Sequence, residues 1–339
     1  MAVLYLVEQG TKVSIESRRL IVSKRDKESE KSCVLQKVPL VKVDAVVVFG
    51  NISFTTPALK RLMTLGKDVV FLTVHGNYCG RVVGPPSRFG QLRHQQYNRL
   101  NDTAFALDIG RRVVEAKLAN MRTLLLRYNR ALGDTEIAEV TDKLAELCQR
   151  TANTQTLNAL MGVEGKGSAL YFGVFKKLFK HDWPFHKRVR RPPRDPINVL
   201  LSFGYTLLTR QMEAMVNLVG LDPYLGFLHQ PSYGRPSLAL DLVEEFRPIV
   251  TDSVVLRVCN EGLITPDNFS EGDDPARPVV LDEAGCKRFL QEFEARLAIR
   301  FKHPDSQERV TYRRVFELQV RRLAASIQSG VAYRPFVVR

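Results

Sequence analysis

A histidine and two acidic residues in the stretch GFLHQPSYGRPSLALDLVEEFRP, residues 226–248, have the types and spacing of a mixed nitrogen and oxygen metal site. Asp241 and Glu244 are three residues apart, so on a helix beginning near Ser237 they lie about 60° apart and can point at one place. His229 lies upstream across QPSYGRP, whose prolines and glycine permit a chain reversal. One imidazole with carboxylates suits magnesium or manganese better than zinc.

The same residues also have an ordinary structural interpretation. Acidic side chains on the polar face of an amphipathic helix are usually solvated, and a single histidine near a turn usually makes a hydrogen bond there. Spacing alone leaves the metal site and the solvated face open.

Glu164 is a second candidate and lies between Gly162 and Gly165 in LMGVEGKGSALYFGVF, residues 160–175. We predict that a helix begins here, so that the helix macrodipole stabilises the charged carboxylate and keeps it available as a ligand. The small neighbours would let a ligand or a backbone approach closely. The alternative is a first-turn glutamate with that electrostatic role alone.

The segment KKLFKHDWPFHKRVRRPPR, residues 176–194, carries a net charge of +7, half of the formal +14 of the chain. Lysines and arginines interleaved with Trp183 and Phe185 suit phosphate neutralisation with some base stacking. A solvated loop that aids solubility is the alternative. The residues that we expect to contact DNA, with one from the histidine segment, are Lys187, Arg188, Arg190, Arg191 and Arg235.

The bulk composition favours a nucleic-acid partner. The 339 residues contain 50 Lys and Arg against 36 Asp and Glu, an excess typical of proteins that bind polyanions. No apolar run approaches the roughly 20 residues of a membrane span, and the start MAVLYLVEQG resembles a strand more than a signal peptide. Five scattered cysteines without a C-x-x-C pair argue against a disulfide framework. We therefore predict a cytoplasmic protein without a membrane partner.

The elements that must position these residues change character along the chain. Residues 1–84 alternate short β-rich runs around one helix, TTPALKRLMTLG, for which we predict Thr56 as the N-cap, Pro57 as the first helical residue and Gly66 as the stop. Residues 85–90 form a turn-rich linker. From 91 to 339 apolar residues recur at helical spacing. The predicted fold is α+β, with a small N-terminal mainly-β domain followed by a larger all-α catalytic domain.

Three segments in this order, GVEGKGSALYF, DPINVLLSFGYTLL and GFLHQPSYGRPSLALDLVEEFRP, resemble the CRISPR-associated endonuclease and integrase. This is the larger of the two proteins that insert new spacers into CRISPR arrays. The resemblance is strong over residues 160–250, and the β-then-α layout extends it to the whole chain.

The resemblance implies that Glu164, His229 and Glu244 bind a divalent ion, magnesium or manganese, and that Asp241 lies close to it. Asp241 and Glu244 both remain candidates for the direct acidic ligand, and the longer reach of Glu244 favours it. The implied partners are double-stranded and branched DNA, a second copy of the chain in a homodimer, and the small ferredoxin-like CRISPR adaptation protein.

The implied reaction is attack of a 3′ hydroxyl on a phosphodiester, which joins strands, whereas attack by water at the same site gives a nick. The alternative is a structural DNA-binding protein of the same fold with an idle metal site. A metallopeptidase is disfavoured because the chain lacks H-E-x-x-H and is strongly basic.

Overall fold

The computed structural model of the chain describes residues 3–25, 32–74, 78–82, 84 and 89–338. The chain divides into two compact units, residues 1–87 and residues 88–339. Most of the predicted linker, residues 85–90, lies outside the described residues, so the predicted domain boundaries stay predictions.

The described part of the N-terminal unit contains two four-stranded sheets. The strands are β1 (Val3–Leu6), β2 (Thr11–Glu16), β3 (Arg19–Arg25), β4 (Ser32–Pro39), β5 (Ala45–Phe49), β6 (Ser53–Phe54), β7 (Asp68–Leu72) and β8 (Tyr78–Val82). One sheet has the order β1-β5-β7-β8, in which β1, β5 and β7 are parallel and β8 is antiparallel to β7. The other sheet has the order β4-β3-β2-β6. Every residue of β5 is buried, because a central parallel strand is covered on both faces.

The helix of this unit, α1 (Thr56–Thr64), differs from the prediction by one residue at its start. Thr55 is the N-cap, Pro57 lies in the first turn, and Gly66 takes a positive φ of 63° just after the end. Strand β4, SCVLQKVP, shows no alternation of apolar and polar residues, and most of its positions are exposed.

The C-terminal unit is built mainly of helices. They are α2 (Gly90–Leu100), α3 (Thr103–Leu132), α4 (Thr135–Thr151), α5 (Leu157–Phe175), α6 (Pro196–Val219), α7 (Ser237–Val243), α8 (Ser253–Asn260), α9 (Glu283–Ala298) and α10 (Tyr312–Ser329). Side chains of Asp102, Asp134, Thr156 and Asp195 cap α3, α4, α5 and α6. A π-helical turn, Arg247–Asp252, follows α7.

The α+β class is confirmed, and the C-terminal unit is mainly helical, although it is not purely α. Two antiparallel strand pairs interrupt the helices, β9 (Phe269–Glu271) with β10 (Val279–Leu281) and β11 (Arg300–Lys302) with β12 (Arg309–Thr311). Strands of three residues are too short to show a two-residue period in the sequence. Across the described residues, none of the helices is both long and apolar enough to span a membrane.

Candidate functional site

Glu164 lies in the middle of α5, so the prediction that a helix begins at this glutamate is wrong. The helix begins at Leu157 after the N-cap Thr156, and the glycines that suggested a boundary lie inside it. Gly167 has a packing role, because a Cβ there would collide with the Leu118 side chain of α3. The glycine therefore lets α3 and α5 approach closely, and the macrodipole argument for Glu164 no longer applies.

The close approach brings a buried lysine against Glu164. Lys117 of α3 is 1% exposed, and its Nζ forms ion pairs with Glu164 Oε1 and with Glu244 Oε2, the latter at 2.6 Å. Ser168 Oγ also donates to Glu164 Oε1 at 2.9 Å. Sequence reasoning missed Lys117, although a lysine on the apolar face of a long helix was a visible signal, since lysines are rarely buried unpaired.

Glu244 is held by two cations at the C-terminal end of α7. It is 3% exposed, and Arg247 Nη2 lies 3.2 Å from its Oε1. Burial alone would raise the pKa of Glu244, but Arg247 and Lys117 outweigh it and lower the pKa to about 2. Glu244 is therefore ionised at neutral pH. We call Lys117, Glu164, Glu244 and Arg247 the charge cluster.

Asp241 holds the histidine segment in place. Its Oδ1 accepts from the backbone N–H of His229 at 2.9 Å and lies 2.7 Å from His229 Nδ1, while its Oδ2 accepts from the N–H groups of Phe227 and Leu228 at 2.6 and 3.0 Å. Gly226 is needed for this turn, because a Cβ there would lie 2.7 Å from His229 O. With both oxygens occupied, Asp241 orients the imidazole ring.

Asp241 and Glu244 do not form a solvated face, since they are 0% and 3% exposed. The alternative interpretation, in which these two acidic residues are solvated surface side chains, is therefore wrong. Glu164, His229 and Glu244 together line a cavity of about 1210 Å³, and Asp241 lies behind its wall. The arginines that also line this cavity are Arg188, Arg190, Arg191, Arg210, Arg235 and Arg247. So many guanidinium groups round one concave surface favour a polyanionic ligand.

Four of the five predicted DNA contacts, Arg188, Arg190, Arg191 and Arg235, line the cavity, whereas Lys187 is exposed outside its lining. The prediction that Trp183 and Phe185 stack on bases is wrong. Trp183 and Phe185 are 2% and 0% exposed, packed against Phe269 and Phe175, so they belong to the core. An exposed aromatic side chain that does line the cavity is Tyr233, which the sequence analysis did not select.

Side chains of α6 hold the guanidinium groups of Arg188 and of Arg247, the second of which belongs to the charge cluster. Arg188 donates from Nη1 to Asn198 Oδ1 at 2.7 Å and from Nη2 to Ser202 Oγ at 3.0 Å. The guanidinium carbons of Arg188 and Arg247 lie 5.5 and 4.7 Å from the centre of the Tyr205 ring. This arrangement orients two cations towards the cavity.

Tyr205 is in turn fastened to a buried carboxyl group. Its hydroxyl donates to Asp252 Oδ1 at 2.6 Å, and the hydroxyl of Tyr171 donates to Asp252 Oδ2 at 2.9 Å. Burial raises the pKa of Asp252 to about 6, and the two tyrosine hydrogen bonds offset only part of the shift.

The chain after α10 binds Glu245, the residue that follows Glu244, and we call residues 331–338 the C-terminal strap. Glu245 accepts from Tyr333 Oη at 2.5 Å and from the N–H of Phe336 at 2.7 Å. Asn120 of α3 donates to the carbonyl oxygens of Phe336 and Glu245 at 2.9 and 2.7 Å and accepts from Val338 N–H at 2.9 Å. The strap thereby ties α3 to the end of α7, the two elements that carry Lys117 and Glu244.

The donor set has the chemistry of a divalent-metal site, although the side chains do not close on one point. Over the described ranges, no group of three or more His, Cys, Asp or Glu side chains is arranged to hold an ion. Glu244 Oε2 lies 2.6 Å from Lys117 Nζ but lacks hydrogen-bond geometry, so this buried oxygen has a charged neighbour without a hydrogen bond. Two carboxylates and an imidazole facing one cavity fit magnesium or manganese.

Comparisons with known proteins identify the family of the chain. The model of the family described as CRISPR associated protein Cas1 matches residues 4–295. The CRISPR-associated endonuclease Cas1 3 of Thermus thermophilus is 35% identical over 340 residues, covering 100% of this chain and 98% of the relative.

Two solved structures share the fold. A casposase bound to integration product has a TM-score of 0.85 at 23% identity, covering 99% of this chain and 93% of its own. A chain of a Cas6-RT-Cas1–Cas2 complex has a TM-score of 0.82 at 24% identity, covering 99% of this chain and 36% of its own.

Proposed function

Because the chain belongs to the Cas1 family of CRISPR-associated proteins, we propose that it is a divalent-metal-dependent DNA endonuclease and integrase that inserts foreign DNA as spacers into a CRISPR array. Membership of the family confirms the resemblance of the three sequence segments. The observation that supports the proposed activity is that Glu164, His229 and Glu244 share a cavity with a ring of arginines.

In this proposal Glu164, His229 and Glu244 hold the ion, magnesium or manganese. A bound divalent ion would supply Lewis-acid stabilisation of the phosphate and would activate the attacking hydroxyl group or water. Asp241 acts one step away. Because the oxygens of Asp241 accept, His229 Nδ1 is the donor to Asp241, which leaves Nε2 for a ligand bond.

The arginines of the cavity would bind and orient phosphates. Tyr205 holds Arg188 and Arg247 in place, so part of the entropy of ordering these side chains is lost on folding and not on DNA binding.

In the proposed reaction, the incoming 3′ hydroxyl forms the new phosphodiester bond and the 3′ oxygen of the target strand leaves, so the number of phosphodiester bonds is unchanged. Water in place of that hydroxyl yields a nick.

The test is to incubate the protein with branched and linear DNA, with Mn²⁺ or Mg²⁺ and with chelator. Glu164→Ala, His229→Ala and Glu244→Ala should each abolish cleavage and strand joining while DNA binding persists. Glu139→Ala, at a largely exposed position of α4, is the matched control and should remain active. Wild-type protein that binds DNA but neither cuts nor joins it with either ion would instead be the structural DNA-binding protein.

We propose further that two copies of the chain form a homodimer and that this homodimer binds the small ferredoxin-like adaptation protein. A chain of the same fold occurs in a complex that includes Cas2, which motivates the second partner. For the homodimer, β4 lies at the edge of its sheet with Val34 and Leu35 46% and 44% exposed. Val34→Glu with Leu35→Glu should shift the mass measured by light scattering to the monomer, whereas Val41→Glu, outside the strands, should not.

A further inference from the structure

The charge cluster contains a cation where the proposed function requires a metal ion. Lys117 is almost completely buried, and its ammonium group contacts both Glu164 and Glu244. A charged group in such a place is stable only when it is paired, because burial removes its hydration. The buried ammonium group of Lys117 therefore needs negatively charged partners, and the carboxylates of Glu164 and Glu244 provide them.

The formal charges of the cluster cancel. Lys117 and Arg247 contribute one positive charge each, and Glu164 and Glu244 one negative charge each. The two carboxylates can thus remain close together without a metal ion, since the ammonium group removes their repulsion. A divalent ion added to the intact cluster would leave it with two uncompensated positive charges beside a buried ammonium group.

The ammonium and a divalent ion would use the same oxygen atoms. Lys117 Nζ lies 2.6 Å from Glu244 Oε2, an oxygen that must lose this neighbour before it can bind a metal ion at comparable distance. We infer that Lys117 is a built-in counter-ion that stabilises the metal-free site and competes with the divalent ion for Glu164 and Glu244. This inference rests on the proposed metal site.

This competition gives opposite effects of one substitution on two measurable quantities. Lys117→Met has similar length and no charge, so Glu164 and Glu244 lose the ammonium group that lies between them, while Arg247 still pairs with Glu244. In chelator, the melting midpoint should fall by roughly 5 to 10 °C, because the half-buried Glu164 and the buried Glu244 then repel each other. The dissociation constant for Mn²⁺, measured by calorimetry without DNA, should fall at least tenfold, and saturating Mn²⁺ should restore most of the lost midpoint.

Lys143→Met is the matched control, because Lys143 is exposed on α4 and pairs with Glu139 at 3.5 Å on the surface. It should change neither the midpoint nor the affinity for Mn²⁺. If Lys117→Met does not fold even with Mn²⁺, Lys117→Gln, whose amide still donates hydrogen bonds to carboxylates, provides the same comparison of affinities.

Glu244→Gln separates this inference from the proposed function. Tight Mn²⁺ binding to Lys117→Met that is lost when Glu244→Gln is added supports both. Mn²⁺ binding to the wild type that depends on Glu244 but is unchanged or weaker in Lys117→Met overturns the competition alone. Absence of Mn²⁺ binding to the wild type and to Lys117→Met contradicts the metal site and the competition together.

Discussion

The imidazole Nδ1 of His229 lies 2.7 Å from Oδ1 of Asp241, a carboxylate that also binds the backbone N–H of the same histidine. The histidine is therefore fixed at both its main chain and its ring by one buried side chain. The two acidic residues of the histidine segment thus have different surroundings, since Asp241 faces the turn and Glu244 faces the cavity.

We predict that Glu244→Gln and Asp241→Asn differ in their effect on metal binding. Glu244→Gln should abolish measurable Mn²⁺ binding, because it removes a proposed ligand. Asp241→Asn should weaken it by about 10- to 100-fold, as loss of an orienting partner does, and should lower the free energy of unfolding by about 2 to 3 kcal/mol. Calorimetric titration and urea unfolding of both variants measure this. Abolished binding in Asp241→Asn with intact binding in Glu244→Gln would reverse the two roles.

The exposed lysine and arginine side chains of residues 176–194, the basic segment, should contribute to DNA affinity through counterion release. Replacing Lys187, Arg190 and Arg191 with alanine should make the slope of log affinity against log salt shallower by up to about 0.9 per lost duplex contact. Arg130, Lys143 and Arg150, exposed and outside the cavity lining, form a control with the same charge change when replaced with alanine. Equal slopes in the two triple variants would mean that the basic segment is a solvated loop.

Arg188 should behave differently from its exposed neighbours. It is bonded to Asn198 and Ser202, so Arg188→Ala leaves Asn198 Oδ1 without one of its donors and should lower stability as well as DNA affinity.

Stability should depend on pH through Asp252. Its pKa is raised by burial from 3.8 to about 6, so between these values the folded state binds a proton that the unfolded state has lost. Stability from this group therefore falls as pH rises through that window, by up to about 3 kcal/mol at 1.36 kcal/mol per pKa unit. The charged groups nearby, Arg188 and Arg247, stay positive throughout and reduce the loss.

Asp252→Asn removes this titration and supplies the comparison. In urea unfolding at about pH 4 and about pH 7, the stability of the wild type relative to Asp252→Asn should be higher at the lower pH. A constant difference between the two proteins would show that Asp252 titrates alike in the folded and unfolded states.

The C-terminal strap should contribute strongly to stability. Phe336 is 2% exposed and its ring stacks on that of Phe246, with centroids 5.5 Å apart. Phe336→Ala should lower the free energy of unfolding by about 3 to 5 kcal/mol and weaken Mn²⁺ binding, since the strap supports the segment that carries Glu244. Val331→Ala, in an exposed part of the strap, should change stability by less than about 0.5 kcal/mol. Similar values for the two variants would show that the strap is not part of the core.

The α+β fold was predictable because long amphipathic helices such as α3, α6 and α10 have clear periods, and the start of α7 at Ser237 follows from the sequence pattern. Glu164 was misplaced because glycines usually mark boundaries, whereas Gly167 serves the contact between α3 and α5. Trp183 and Phe185 were taken as surface residues because basic neighbours surround them, and their burial depends on tertiary packing with Phe269 and Phe175.

The contact of Lys117 with Glu164 and Glu244 could not be predicted, because it joins residues 47 and 127 positions apart in the chain. Local patterns identify a helix face but not its opposite neighbour. The burial of Asp241 was likewise invisible, since its four hydrogen bonds come from the turn that it stabilises.

The attachment of the C-terminal strap to Asn120 and Glu245 has a consequence for the order of events on the ribosome. The residues of the charge cluster lie between positions 117 and 247, but Tyr333, Phe336 and Val338 can bind Glu245 and Asn120 only after α10 has been made. Until then Glu245, which is 0% exposed in the finished molecule, lacks the strap donors that its buried carboxylate requires. A nascent chain in which residues 331–338 are not yet in place therefore carries an incompletely supported carboxylate next to Glu244.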